Sequence, residues 1–285
     1  MQNHTDKFFF VLLIVAVAAV WAAPKTSAHR LVLQQQEVPK AQELPSTANP
    51  SGEKIIVATG RKVVLLERES KAVIWESTGL RGALCIAALP EGGFLVGEGQ
   101  SVARLDKDGR FVSRSLINFR LTTDVKSLKD GKMLVSDGPA GTVVEVDWQG
   151  NITWFVNGLH HPSEAERLPN GDTLVADGTS QLKEFDSTGK LLRVIRVPRW
   201  AAAVKRVEGG TLVGERDRVE LLDLSGKSIW SQRKSSRVTG VQRLPSGEYL
   251  ICEPDAERIA ILDANGNVIW EANGLGYSWR AISLQ

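Results

Sequence analysis

Residues 164–192 read EAERLPNGDTLVADGTSQLKEFDSTGKLL and form the clearest copy of a unit that recurs along the chain. Four short apolar runs in this stretch are separated by three turn signals, at Pro169–Asp172, Asp177–Ser180 and Asp186–Gly189. The pattern predicts one four-stranded antiparallel sheet. A sheet of this size cannot bury both of its faces by itself, so several copies must pack against one another.

The glycine of the first turn recurs along the chain with a nearly constant period. It is found at Gly52, Gly92, Gly131, Gly171, Gly209 and Gly247. The successive gaps are 40, 39, 40, 38 and 38 residues. The runs between the turns are short and rich in β-branched residues, as in Thr173–Val175, which predicts strands and not helices. A period near 40 with four strands per copy is typical of a propeller blade.

A second turn connects the last two strands of each copy. Five copies contain an Asp followed three residues later by a Gly, at Asp106–Gly109, Asp147–Gly150, Asp186–Gly189, Asp223–Gly226 and Asp263–Gly266. The aspartate can accept hydrogen bonds from the amides of its own turn, and the glycine tolerates a positive φ. Four copies then place a tryptophan just beyond the turn, at Trp75, Trp154, Trp230 and Trp270. We interpret these tryptophans as packing residues that seal the gap to the next blade.

The two ends of the repeat region complement each other. Residues 280–284 match the first strand of a copy, whereas residues 50–57 match the second strand. The C-terminal strand therefore completes the first sheet, which closes the ring and removes two exposed sheet edges. The sequence predicts an all-β domain over residues 49–285, namely a six-bladed β-propeller of four-stranded antiparallel blades whose first blade is closed by the C-terminal strand.

The first 48 residues differ in composition from the repeats. Residues 8–23 form an apolar run of 16 residues that is followed by small residues, which predicts a signal peptide over residues 1–28. The alternative is an uncleaved membrane anchor at residues 8–23, although a spanning helix needs about 20 residues. Residues 29–48 mix Pro, Gln, Ser and charge, which predicts a flexible tether. We therefore expect an exported protein with a periplasmic or extracellular location.

The charge, the cysteines and one sequence motif indicate which partners and modifications to expect. The formal net charge of the 285 residues is +2, and the basic residues are dispersed, so we expect no nucleic-acid partner. Cys85 and Cys252 fall in blades that are not predicted to touch, so we expect two unpaired thiols, because a disulfide needs Cα atoms within about 7 Å. Asn151–Thr153 matches the N-glycosylation acceptor pattern, which matters if the source glycosylates exported proteins.

The repeats also resemble a known family. Residues 262–271, LDANGNVIWE, and the related segments ending at Trp75, Trp154 and Trp230 resemble the tryptophan-docking repeat of the quinoprotein-like (PQQ-like) β-propellers. Residues 161–177 are similar to repeats of arylsulfotransferase-type propellers. The resemblance covers about residues 49–285 and implies the propeller fold. It does not carry over PQQ or a redox reaction, because quinoprotein dehydrogenases have more blades and often a vicinal cysteine pair. We predict no cofactor and no metal site.

One face of the predicted ring collects charged residues. The glycine turns lie on one face of the ring. The opposite face therefore contains the loops between second and third strands and the crossings between blades, and we call it the crossing-loop face. Acidic residues end the second strands, at Glu98, Asp137, Asp177, Glu215 and Glu253. The crossings contain the predicted ligand-binding residues Arg81, Arg120, His160, His161, Arg199 and Arg237. Either these cations attract an anionic or polar ligand, or the arginines pair with the acids and hold the loops.

No catalytic motif accompanies the repeats, so we expect a non-catalytic scaffold that binds a polar or anionic small molecule, a glycan or a protein loop. The alternative is a propeller enzyme of the hydrolase, lyase or sulfotransferase type. His161 and Glu164 are then the candidate catalytic residues, because a histidine near a carboxylate can serve as a general base. A third hypothesis is an assembly factor at a membrane surface, attached through the N-terminal segment if that segment remains uncleaved.

Overall fold

The computed structural model describes residues 52–77 and 79–284. The predicted signal peptide, membrane anchor and tether lie outside these residues, so export and anchoring remain predictions from the sequence. Within the described part of the chain, no helix is long and apolar enough to span a bilayer.

The first three blades contain eleven strands between residues 54 and 156. Blade 1 contains β1 (Lys54–Ala58), β2 (Val63–Glu67) and β3 (Val73–Glu76). Blade 2 contains β4 (Cys85–Ala88), β5 (Phe94–Gly97), β6 (Val102–Leu105) and β7 (Phe111–Arg114). Blade 3 contains β8 (Thr122–Ser127), β9 (Met133–Asp137), β10 (Thr142–Val146) and β11 (Ile152–Val156). A short 3-10 turn, Lys129–Gly131, connects β8 to β9.

The remaining blades follow the same plan. Blade 4 contains β12 (Glu164–Arg167), β13 (Thr173–Thr179), β14 (Gln181–Phe185) and β15 (Leu191–Arg196). Blade 5 contains β16 (Ala201–Val207), β17 (Gly210–Glu215), β18 (Arg218–Asp223) and β19 (Ser228–Arg233). Blade 6 contains β20 (Gly240–Arg243), β21 (Tyr249–Glu253), β22 (Arg258–Leu262) and β23 (Val268–Asn273). A second 3-10 turn, Pro254–Ala256, follows β21, and the last strand is β24 (Arg280–Leu284).

The last strand closes the ring. β24 pairs antiparallel with β1, so that Ile56 lies opposite Ile282 and Val57 lies opposite Ala281. The strand order in blade 1 is therefore β24-β1-β2-β3, and β24 takes the innermost position that β4, β8, β12, β16 and β20 take in the other blades. These innermost strands contact one another around the centre. The predicted six-bladed propeller, with its first blade completed from the C-terminus, is confirmed.

The hydrophobic core is divided among the gaps between blades. Each of six apolar clusters in the described residues joins two neighbouring sheets. For example, Ile55 and Val57 of blade 1 pack with Leu250 and Ile259 of blade 6. Cys85 and Cys252 are both buried in these layers and both are free, as predicted. Because every blade buries both of its faces against neighbours, no blade has a complete core by itself.

The turn chemistry follows the sequence pattern. In blade 2, an Oδ1 atom of Asp106 accepts hydrogen bonds from the backbone N–H groups of Asp108 at 2.9 Å and Arg110 at 2.8 Å. Gly109 in the same turn has φ +79°, which disfavours any residue with a side chain. Tight turns of this kind set the register of the two outer strands in blades 2 to 6.

The outer-strand tryptophans reach the next blade, which confirms their predicted packing role. A Cβ added to Gly109 of blade 2 would lie 2.5 Å from the ring of Trp75 in blade 1, so the indole fits only against a glycine. Trp230 of blade 5 stacks on Tyr249 of blade 6 with 5.0 Å between ring centroids. The indole N–H of Trp270 in blade 6 donates to the carbonyl of Arg68 in blade 1 at 2.7 Å.

Trp154 provides a direct test of this seal. Its ring is buried between blades 3 and 4, and the guanidinium carbon of Arg167 lies 4.4 Å from its centroid. We expect Trp154→Ala to lower the free energy of unfolding by about 3–5 kcal/mol, because it opens a cavity in the gap. The matched control is Phe155→Ala on the same strand, since Phe155 is 56% exposed. Chemical denaturation of the control should show a change within about 0.5 kcal/mol, and equal losses in the two variants would contradict the seal.

Candidate functional site

The acids at the ends of the second strands hold the crossing loops by backbone contacts. In four blades a carboxylate oxygen accepts a hydrogen bond from the backbone N–H of a crossing cation. These pairs are Arg81 to Glu98 at 2.9 Å, Arg120 to Asp137 at 2.7 Å, His160 to Asp177 at 2.8 Å and Arg199 to Glu215 at 2.6 Å. All four acids are buried. The acids thus hold the loops, but through the backbone of the crossing residues and not through their side chains.

Other cations neutralise three of the buried acids. Arg114 binds Glu98 at 2.6 Å, Lys183 binds Asp177 at 2.5 Å and Arg258 binds Glu253 at 2.7 Å. The acidic groups of the crossing-loop face are therefore buried and paired inside the blades, because desolvated carboxylates need hydrogen-bond or ion-pair partners. They contribute little negative charge to the surface that a ligand would meet.

The side chains of the crossing cations are left on the surface. Arg81, Arg120 and His160 are exposed, and across residues 52–77 and 79–284 their side chains have neither an ion pair nor a hydrogen bond. Arg199 is also exposed, and its nearest acid is Asp217 at 3.8 Å. The structure thus keeps these four predicted residues on one face with their charged or imidazole groups free to meet solvent.

Two further arginines of this face were missed from the sequence. Arg61 and Arg216 are exposed and lie in the loops between second and third strands of blades 1 and 5. The position of Arg216 on this face could have been predicted from the sequence, because Arg216 directly follows Glu215, one of the acids that end the second strands.

Arg237 differs from the other crossing arginines because its side chain is engaged. Its guanidinium donates two hydrogen bonds to Asp255, at 2.8 and 2.7 Å, and also contacts the hydroxyl of Tyr277. It lies 5.5 Å from the ring centroid of Trp279. These hydrogen bonds from Arg237 lower the pKa of Asp255 to about 2. Arg237 therefore connects blade 6 to the last crossing, and a ligand that used it would have to share it with Asp255.

A cavity of about 130 Å³, which we call the channel pocket, opens at the crossing-loop end of the central channel. Its walls include Leu84, Leu121, Trp200 and Trp279, so its lining is mainly apolar. His161 also lines the pocket, whereas the neighbouring His160 is exposed. The predicted site residues therefore form an exposed cationic rim around an apolar opening.

Arg280 divides the channel below this pocket. It lines both the channel pocket and a cavity of about 400 Å³ at the opposite end. Its guanidinium lies 3.4 Å from Glu164 and 3.8 Å from Asp124, and it donates to the carbonyl of Ser163 at 3.1 Å. Lys126 completes this charge cluster by binding both acids. The cluster comes from β8, β12 and β24, and it blocks the channel with two cations and two acids that form ion pairs with one another.

The charge cluster changes the interpretation of Glu164. One carboxylate oxygen binds Lys126, and the other accepts the backbone N–H of Val204 at 3.0 Å. Burial alone would raise the pKa of Glu164, but the nearby Arg280 and Lys126 outweigh it and lower this pKa. In the described part of the chain, no hydrogen bond joins His161 to Glu164, so the two candidate catalytic residues are not brought together as an acid–base pair. Over the same range, no group of three His, Cys, Asp or Glu side chains could hold a metal ion.

Blade 5 contains a buried carboxyl pair where blade 4 contains an ion pair. On the third strand, Lys183 of blade 4 and Glu220 of blade 5 occupy the same register position, opposite Val175 and Val213 respectively. Glu215 therefore has Glu220 beside it where Asp177 has a lysine, and the charge of Arg218 opposes the effect of Glu220 only in part. Burial and the contact with Glu220 raise the pKa of Glu215 to about 8. A carboxyl group with this pKa is mainly protonated at neutral pH, and Glu215 lies beneath the loop of Arg199.

This pair makes stability depend on pH. The folded protein keeps the Glu215 proton up to a pKa of about 8, whereas the unfolded chain loses it near 4.5. The contribution of the pair is therefore present below pH 4.5 and is lost as the pH rises toward 8. We expect Glu220→Gln to reduce the fall in unfolding free energy over this interval by at least about 1.4 kcal/mol, the equivalent of one pKa unit.

The measurement is urea denaturation of wild type and variant at several pH values within that interval. Glu208→Gln is the matched control, because Glu208 is exposed on a turn of the same blade. Its pH profile should follow that of the wild type. Parallel profiles for Glu220→Gln and the wild type would show that the proton is not held there.

Comparisons with known proteins support the fold. No family model and no curated protein matches the chain. Among solved structures, the chain is similar to a protein of unknown function from Bacteroides caccae, with a TM-score of 0.69 and 19% identity over 82% of this chain and 100% of that chain. It is also similar to the WD40 β-propeller domain of Doa1, with a TM-score of 0.60 and 15% identity over 80% of this chain and 82% of that one. Identities this low show the propeller fold alone.

Proposed function

We propose that this propeller is a non-catalytic binding scaffold whose crossing-loop face binds an anionic or polar ligand or a protein partner. One observation carries the proposal. The acids of this face are buried and bonded to their own loops, whereas the cationic side chains of the same loops are exposed. The face therefore presents positive charge even though the whole chain has a formal net charge of only +2.

The loops of the crossing-loop face expose more basic than acidic side chains. Five arginines have exposed side chains: Arg61, Arg81, Arg120, Arg199 and Arg216. The acids of the same loops that reach solvent are Asp255, which Arg237 binds, Asp217, which lies 3.8 Å from Arg199, and Glu257. A surface with excess charge of one sign attracts ligands of the opposite sign and speeds their association. The channel pocket opens within this charged rim and supplies a concave surface.

The scaffold interpretation is favoured over an enzyme because the best catalytic candidate is occupied. Both carboxylate oxygens of Glu164 are bound in the charge cluster, and a general base must be able to reach a substrate proton. His161 remains in contact with the channel pocket, where it can serve as a wall for a ligand.

We also propose that the blades are of the PQQ-like repeat type and that residues 1–28 direct export. The first part is supported by the contacts of Trp75 and Trp270 with the outer turn of the next blade. The second rests on the sequence of the N-terminal segment.

A charge-matched pair of triple variants tests the proposed binding face. Replacing Arg81, Arg120 and Arg199 by Gln removes three exposed charges and retains the backbone N–H groups that hold the loops. The control replaces Lys107, Lys190 and Lys227 by Gln, because these lysines are exposed on the turns of the opposite face. The readout is fluorescence anisotropy with a labelled hexaglutamate peptide at low ionic strength.

We expect the arginine variant to bind the peptide about tenfold more weakly, since each exposed charge contributes up to about 1 kcal/mol. The lysine variant should bind like the wild type, and added salt should weaken binding to both. Equal losses in the two variants, or no binding by the wild type, would refute the assignment of this face.

A further inference from the structure

We propose, resting on the function proposed above, that the partner is a protein segment which inserts one aromatic or aliphatic side chain into the channel pocket and places a neighbouring carboxylate against the arginines beside Trp200. Two adjacent cavities with different lining chemistry share Trp200 as a wall.

The channel pocket offers apolar contact and few polar groups that are free. The hydroxyl of Thr123 in its wall already donates to the carbonyl of Pro162 at 2.7 Å. The guanidinium of Arg280 at its base is bound to Glu164 and to the carbonyls of Ser163 and Ala202. The rest of the lining consists of Leu84, Leu121, Ala202, the rings of Trp200 and Trp279, and the imidazole of His161. An apolar ligand group therefore gains more binding free energy in this pocket than a polar group does.

The size of the pocket argues for a side chain and against a whole small molecule. Its volume is about 130 Å³. Pockets that bind complete small ligands have volumes of about 300–1,000 Å³. The pocket can thus take one aromatic or branched aliphatic group while the rest of the ligand lies across the face.

A second cavity lies next to it. An open cavity of about 560 Å³ between blades 5 and 6 is lined by Trp200, Arg216, Ser235, Ser236, Arg237 and Asp255. Trp200 belongs to both cavities, so a group in one lies beside a group in the other. The Arg216 side chain is exposed and has no acid within ion-pair distance among the described residues, whereas Arg199, which directly precedes Trp200, lies 3.8 Å from Asp217. This side of Trp200 therefore suits a carboxylate.

The occupant must combine the two chemistries over a short distance. An acidic segment with one apolar side chain does so, and its remaining acids complement the exposed arginines around the rim. Burial of a Phe side chain in the pocket should strengthen binding at least about tenfold over Ala, because a buried large apolar side chain contributes well over the equivalent of one decade.

The test compares two labelled pentapeptides on the full-length protein, Glu-Glu-Phe-Glu-Glu and Glu-Glu-Ala-Glu-Glu. We expect the Phe peptide to bind at least about tenfold more tightly by fluorescence anisotropy. Leu84→Trp should fill the pocket and reduce the affinity for the Phe peptide to that for the Ala peptide, without changing the latter. Leu116→Trp is the control, because Leu116 lies on the crossing between blades 2 and 3 but is 75% exposed and outside the pocket. Thermal melting verifies that both variants fold.

The outcomes separate this inference from the function on which it rests. Equal affinities for the two peptides, with loss of both in the triple arginine variant, would overturn the inserted side chain but leave the binding face intact. N-acetylphenylalanine binding as tightly as the Phe peptide would overturn the protein partner in favour of a small molecule. No binding of either peptide would overturn both proposals. The comparison of the two peptides on wild type needs no variant, so a misfolded Leu84→Trp would not leave the inference untested.

Discussion

The structure depends on the pairing of β24 with β1. These strands lie at opposite ends of the repeat region, yet Arg280–Leu284 form the inner strand of the blade that begins at Lys54. Without this pairing, blade 1 would have no strand at the channel, and the gaps to blades 2 and 6 would lose part of their lining, including Ala281. The same strand carries Arg280 into the centre of the channel. Formation of the internal charge cluster therefore requires ring closure, because the strand that closes the ring also positions the arginine that blocks the channel.

A consistent division of charge links this architecture to binding. Buried carboxylates such as Glu98 and Asp137 accept backbone N–H groups of the crossings, which fixes each loop and turns its arginine side chain outward. The fold needs the acids because buried backbone donors require partners. The cationic surface follows as a consequence, since the acids that would neutralise it are used inside the blades. Blade 5 differs from blade 4, because Glu220 stands where blade 4 has Lys183, and burial together with the contact with Glu220 raises the pKa of Glu215.

Local chemistry made most of the fold predictable from the sequence. An Asp followed by a Gly three residues later defines a turn within a few residues, and a tryptophan after it, such as Trp75, needs only the next blade as a partner. The candidate site was predictable to the level of its face and of exposed residues such as Arg81. The charge cluster was not, because Asp124, Glu164 and Arg280 are far apart in sequence and meet only when the ring closes. The contact of Arg237 with Asp255 and Tyr277 also depends on how two loops fold back on the surface.

Hydrogen exchange measured by mass spectrometry tests ring closure most directly. The decisive peptide covers residues 280–284, compared with peptides from β1 and from the core strand β21 of the same full-length protein. If β24 closes the ring, its paired amides should exchange only through global unfolding and as slowly as those of the two reference strands. Exchange of residues 280–284 within seconds, while β21 remains protected, would show that the C-terminal strand is not part of blade 1.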